Sequence, residues 1–410
     1  DNSLSGHTAS GSTSSSSTTI VNETVTGTTP YSVASSSANY YIVGDSSGNT
    51  ITTGSGNDTI DGGGGDDRLQ SNAGNDTLIG GAGDDTLVGG SGEGNDVYYG
   101  GEADGTDTSN NDLLIYSSAT NSIAVKLQGA SGLETAYGVA GGTDIGVDRL
   151  YGIDHVIGGS GDDTIIGNSD ANSLSGGAGN DTLEGGAGAD VLDGGGGNDV
   201  LDGGDGSDVL SYSATGTQGV SVDLGSVNAA GYATVTDQFG NTDLVKNFET
   251  IIGSSLADSF TDGAGNQVLQ GGLGSDTYVW SGLGSDTVTD TGGTTDVLSL
   301  NLLDGDLIAS LAHDSSGNLL VSHDGGATLT VTSGSAIEQV IGPDGATLAL
   351  IENTGATVTG SSGADIIVGY DGGQTLYGAA GEDVIFGGSG NDVIYAAVTS
   401  TGTNAAGAPA

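Results

Sequence analysis

From Gly176 to Ser211 a large apolar residue recurs at every ninth position: Leu183, Leu192, Leu201 and Leu210. Each is the middle of a three-residue run such as Thr182-Leu183-Glu184. Such a run suits a short β-strand whose central side chain points inward and whose neighbours point out. The six residues before each run are glycine-rich and end in aspartate, giving GGAGNDTLE, GGAGADVLD, GGGGNDVLD and GGDGSDVLS without a gap. Glycines at these places allow the positive φ angles that a sharp turn needs. A disordered glycine-rich linker is the competing reading. It gives no reason for an apolar residue at every ninth position. No stretch sustains a 3.6-residue period, and the chain's 81 glycines oppose helix. The pattern predicts an all-β chain of parallel β-roll (β-helix or solenoid) segments.

The same period organises most of the 410 residues. Residues 1–43 read as a Ser/Thr-rich arm or linker, within which Thr19–Thr26 could form a strand on a partner's sheet edge. A first roll follows at 44–100, with TGSGNDTID, GGGGDDRLQ, SNAGNDTLI and GGAGDDTLV between Thr53 and Val88. Residues 101–157 are a strand-rich insert, 158–211 a second roll and 212–257 a second insert. The two inserts are copies: Asp112 to Asp208 is 96 residues, and Asp148 to Asp243 is 95. Residues 258–350 hold degenerate units and a β-hairpin around Ser315-Ser316-Gly317-Asn318, 351–395 the last roll, and 396–410 a small polar tail. Repeats that contact only their neighbours suggest an elongated rod.

The sixth residue of each unit carries the chemistry. Calcium takes six to eight oxygens from carboxylates and carbonyls. A glycine-rich turn closed by aspartate offers both. The candidate metal ligands are Asp58, Asp67, Asp76, Asp85, Asp96, Asp163, Asp181, Asp190, Asp199, Asp208, Asp258, Asp276, Asp286, Asp365, Asp383 and Asp392. At this position Asn172 and Gln374 lack a carboxylate, so those rungs are expected to bind weakly or not at all. The G-G-x-G-x-D-x-U-x units closely resemble the calcium-binding nonapeptide repeats of RTX (hemolysin-type) proteins. That resemblance implies two units per coil with ions between stacked turns. Ligands then recur eighteen residues apart, with Asp163, Asp181 and Asp199 on one side and Asp190 and Asp208 on the other. It also implies roughly one Ca²⁺ per repeat, or about fifteen ions.

Charge fits this picture. The formal net charge is −49, and Arg68, Lys126, Arg149 and Lys246 are the only lysines and arginines. Such a chain does not suit nucleic acid, whose phosphates need protein cations, nor an anionic membrane surface. Self-repulsion destabilises its compact state unless counter-ions bind. There is no cysteine or methionine, no apolar run long enough to span a membrane and no recognisable signal peptide. Metal can stabilise a secreted chain in place of disulfides. A first residue other than Met suggests a processed product or a fragment.

Other candidate chemistry is thin. Gly44-Asp45-Ser46-Ser47-Gly48 matches G-x-S-x-G, which requires a strand–turn–helix context with His and Asp partners. His313 and His323 flank the hairpin and could approach each other, although a metal site would need a further ligand. Tyr98, Tyr99, Tyr116, Tyr151, Tyr212, Tyr278 and Trp280 read as core plugs where rolls meet inserts. No enzyme activity is expected. The expected function is that of a calcium-dependent structural protein of a bacterial surface: an S-layer, filament or matrix folding outside the cell. Self-association into a lattice or filament is expected, with a cell-surface polysaccharide or lipopolysaccharide as anchor. The RTX resemblance also implies type I secretion. The alternative is the repeat region of a larger RTX toxin, secreted enzyme or adhesin.

Overall fold

The computed structural model describes residues 8–9, 20–89, 94–101, 111–127, 129, 138–293, 296–301, 308–313, 318–323, 326–332, 337–341, 347–352, 357–359, 365–368, 373–380, 383–387 and 391–395. Among these every regular element is a β-strand. Among the described residues no helix is long and apolar enough to cross a membrane. The chain divides into two compact units, Asp1–Leu210 with Asn241–Phe248, and Ser211–Gly240 with Glu249–Ala410.

In the first unit the nonapeptides build a parallel roll with two strand stacks. Strand Thr59–Gly64 pairs with Thr77–Ala82, aligning Ile60 with Leu78. Strand Arg68–Gln70 pairs with Thr86–Val88, aligning Leu69 with Leu87. Successive nonapeptides thus alternate between stacks, and each strand pairs with the one eighteen residues on. The same register joins Thr182–Gly188 to Val200–Gly206 and Ser173–Ala178 to Val191–Gly196. Parallel strands buried on one face present a column of aligned apolar side chains. Ile60, Leu78 and Leu201 in one stack and Leu69, Leu87 and Leu192 in the other are fully buried in such columns.

The first insert is built into the sheet. Strand Val97–Tyr99 pairs with Gly146–Tyr151, which runs antiparallel to Gly138–Gly142. That strand is antiparallel to Ile123–Lys126, and Ile123–Lys126 is parallel to Thr164–Ile166 of the next roll. The meander therefore bridges two arrays without interrupting the ladder. The expected arm is also partly structured. Ile20–Thr24 pairs parallel with Asn39–Val43, so this β-branched segment joins the chain's own sheet, not a partner's, and is no loose leader.

In the second unit, Ser221–Asp223 pairs antiparallel with Ala233–Thr236 and parallel with Ser259–Thr261. Ser259–Thr261 continues through Thr277–Trp280 to Asp296–Leu300, stacking Phe260, Tyr278 and Leu298. The hairpin is present as Ile308–His313 against Leu319–His323, and its expected turn residues 314–317 lie outside the described residues. Its register separates the two histidines: His313 faces Leu319 and His323 faces Ile308. Five residues of strand, roughly 16 Å, lie between them, so they do not form a pair. The tail at 396–410 lies outside the described residues.

Candidate calcium sites

The aspartates form ladders running across the coils. The N–H of Asp58 donates to Asp76 Oδ1 at 2.7 Å, and Asp76 N–H to Asp96 Oδ1 at 2.8 Å. Opposite them, Asp67 N–H donates to Asp85 Oδ1 at 2.7 Å. In the second roll the steps run from Asp163 to Asp181, from Asp181 to Asp199, and from Asp190 to Asp208. In the second unit they run from Asp258 to Asp276, and from Gln267 to Asp286. Each aspartate thus ties its Oδ1 to the backbone of the coil before it. Asp163 and Asp258 accept from Ile123 and Val220 of the inserts. Gln374 does not break the ladder, because its backbone N–H still donates to Asp392 Oδ1 at 2.9 Å. The side chain of Asp365 lies outside the described residues, and Asp383 is half-buried.

Four further aspartates, absent from the sequence-based set, belong to the same ladders. Asp112, Asp148, Asp243 and Asp296 accept the N–H groups of Asp85, Asp96, Asp199 and Asp276. None closes a G-G-x-G-x-D turn. Each does stand two residues before an inward apolar residue: Leu114, Leu150, Val245 and Leu298. That shorter D-x-U signal would have found them.

The second carboxylate oxygen is the chemically exposed point. The Oδ2 atoms of Asp58, Asp67, Asp76, Asp85, Asp181, Asp190 and Asp276 are buried and accept no hydrogen bond. Several lie in cradles made by the unit's first glycine. A Cβ on Gly185 would meet Asp190 Oδ2 at 2.5 Å and the Gly203 carbonyl oxygen at 2.4 Å. Gly176 has the same kind of neighbours one unit earlier, in the opposite stack: Asp181 Oδ2 and the Gly194 carbonyl. Carboxylate and carbonyl oxygens therefore converge where a side chain would otherwise stand. The glycines at positions two and four have a different role: Gly186 and Gly188 take φ values of +114° and +117° to reverse the chain.

Burial disfavours the ionised form of these acids. It pushes Asp85 up to about 8 and Asp76, Asp181, Asp276 and Asp286 up to about 7. Asp67 and Asp190 rise to about 6 for the same reason. An unpaired buried anion is costly unless a counter-charge joins it. Asn172 shows how a rung closes without one. Its Oδ1 accepts the Asn168 N–H at 2.8 Å and its Nδ2 donates to the Asp154 carbonyl at 2.9 Å. Aspartate has no such donor. An all-oxygen set of buried carboxylates and carbonyls fits a hard cation such as Ca²⁺. The position-six aspartates with the carbonyls of the glycine turns would hold it, and it would supply the charge that lets the turns stack.

The remaining candidates are structural. Gly44–Gly48 connects strand Asn39–Val43 to strand Thr50–Thr52, which is not the strand–turn–helix context of a nucleophile elbow. His155 Nδ1 accepts the Ser173 N–H at 2.9 Å. Tyr98, Tyr116, Tyr212, Tyr278 and Trp280 are buried plugs, but Tyr99 and Tyr151 are not. These two follow inward residues on paired strands, so they point outward and stack with ring centroids 4.6 Å apart.

A family model for RTX calcium-binding nonapeptide repeats (four copies) matches residues 43–78, 61–94, 72–107, 148–183, 175–210, 252–288 and 359–394. No curated protein matches the chain. Among solved structures, the extracellular lipase LipA from Serratia marcescens is similar at 18% identity and a TM-score of 0.21. The match covers 46% of this chain and 40% of the lipase. The recurring repeat matches, their parallel strands and their buried carboxylates make this chain an RTX protein, secreted from the cell and binding many Ca²⁺ ions along its repeats.

Proposed function

We propose that the chain is a calcium-folded structural component of a bacterial cell-surface assembly, an S-layer, filament or matrix. The observation that carries this reading is the splicing of the first insert's strands into the parallel sheet of the repeats. Insert and repeats thereby serve one continuous scaffold instead of presenting a separate effector module. Net charge supplies the switch. At a formal −49 the chain repels itself until cations bind. Extracellular calcium modules bind with Kd of about 10⁻⁴ to 10⁻³ M, so folding is driven outside the cell. Self-association then builds the assembly, and a surface polysaccharide or lipopolysaccharide anchors it.

Negative-stain microscopy of the chain, with chelator and with millimolar Ca²⁺, tests this. Calcium-dependent sheets or fibres are expected. Monodisperse particles at every concentration would overturn the structural role. They would favour the other reading, the roll of a larger RTX toxin, secreted enzyme or adhesin.

A further inference from the structure

We propose that Asp276, Asp290 and Asp296 form a distinct, tight Ca²⁺ site in the second unit, built on a third carboxylate that the ordinary rungs lack. Asp276 and Asp296 are successive ladder residues, with Asp276 N–H donating to Asp296 Oδ1 at 2.7 Å. Asp290 is the addition. The parallel register aligns Leu273 with Gly292 and Gly274 with Gly293, which places Asp290 opposite Gly271. Gly271 is the first glycine of its unit, and ordinary coils stack two such glycines there, as Gly62 lies against the Gly80 carbonyl. Here the following coil brings a carboxylate instead.

The three side chains are 0%, 2% and 0% exposed, and one oxygen of each lies within 4.8 Å of the others. Oxygens sharing one calcium ion, each about 2.4 Å from it, stand at such separations. Asp276 Oδ2 is buried and accepts no hydrogen bond. It faces the cluster: a Cβ on Gly271 would meet both it, at 2.4 Å, and the Tyr278 hydroxyl, at 2.0 Å. That hydroxyl donates its proton to Asp290 Oδ2 at 2.8 Å, leaving none for Asp276. No protein cation is at hand either. All four lysines and arginines belong to the first unit, so the second has none in its whole sequence. Three buried carboxylates with no lysine or arginine in their unit need a bound cation. An all-oxygen donor set of this kind selects a hard divalent ion, and a dry site suits calcium better than magnesium, which keeps several waters. Three negative ligands also bind more tightly than the two that successive coils supply in an ordinary rung. The site is independent of any surface role.

The test is calcium titration of the full chain, starting from chelated protein and competing against a fluorescent chelator. One ion per chain is expected to bind at least tenfold more tightly than the rest. Asp290→Asn, which keeps an acceptor for Tyr278, should weaken that step tenfold or more while the β signal at saturating Ca²⁺ persists. Asp181→Asn should leave the tight step in place. A native titration without a tight step, an Asp290→Asn curve that superimposes on it, or loss of the step in Asp181→Asn would each overturn the site. If Asp290→Asn fails to fold at saturating Ca²⁺, the native chain decides through terbium. Trp280, the chain's single tryptophan, follows Tyr278 by two residues on the same buried face. The first equivalent of Tb³⁺ should show tryptophan-sensitised emission. Emission that rises only after several equivalents would overturn the site.

Discussion

Asp190→Asn separates the cost of a buried carboxylate from its reward. Asp190 is fully buried, its Oδ1 accepts the Asn172 N–H at 2.7 Å, and its Oδ2 accepts nothing. The substitution keeps the acceptor and removes the charge. Its cost must therefore depend on calcium. With a Kd of about 10⁻⁴ M, one site contributes roughly 0.4 kcal/mol at about 0.1 mM Ca²⁺ and about 2.7 kcal/mol at about 10 mM. The destabilisation by Asp190→Asn should accordingly grow by about 2 kcal/mol over that range. At the low end it should vanish or change sign, because burial has raised Asp190 to about 6 and the neutral amide escapes that penalty. The assay is urea unfolding followed by circular dichroism at a series of free calcium concentrations. Asp190→Ala, which also loses the hydrogen bond, should add a calcium-independent cost of about 1 kcal/mol. A cost of Asp190→Asn that is the same at every calcium concentration would refute the reasoning.

Four further outcomes are expected. In chelator, carboxyls raised to about 6–8 favour the fold below the unfolded carboxylate range near pH 4, and this contribution is lost as pH rises through 6–8. The chelated chain should therefore resist urea better at about pH 5 than at about pH 8, and the order should reverse at saturating calcium, where protons compete with the ion. Leu201→Ala empties a fully buried place between Leu183 and Val245 and should cost about 2–5 kcal/mol in calcium, measured by urea unfolding. Gly185→Ala forces a methyl group against Asp190 Oδ2 and the Gly203 carbonyl and should both lower the calcium-saturated Tm and weaken calcium binding. Gly231→Ala, with nothing within 4 Å but a φ of +84°, should cost only backbone strain of about 1 kcal/mol and leave calcium affinity unchanged.

Much of this was legible in the sequence because the repeat fixes three things at once. The ninth-position apolar residue sets the inward column, the glycines set the turn, and the aspartate sets the rung. Leu183, Leu192, Leu201 and Leu210 therefore mark the core in the sequence itself. What stayed hidden lies where one of the three is missing. Asp112 and Asp148 close rungs without the G-G-x-G-x-D turn, 27 and 52 residues after the Asp85 and Asp96 whose N–H groups they accept. The inserts looked like interruptions because antiparallel meanders carry no nonapeptide period. Only strand pairing shows that Ile123–Lys126 substitutes for a coil. Asp290 was invisible for a subtler reason: its meaning depends on facing Gly271, and a one-residue shift in spacing conceals that.

The ladders also give each roll a polarity. Every step has a backbone N–H on the earlier coil and a carboxylate on the later one. The inserts keep to that direction: where a roll begins, Asp163 and Asp258 take their donors from Ile123 and Val220, and where one ends, Asp85 and Asp199 give their N–H groups to Asp112 and Asp243. A segment spliced in with the opposite sense would set donor against donor or acceptor against acceptor. The hydrogen bonds of a single coil thus fix which way the next one must run.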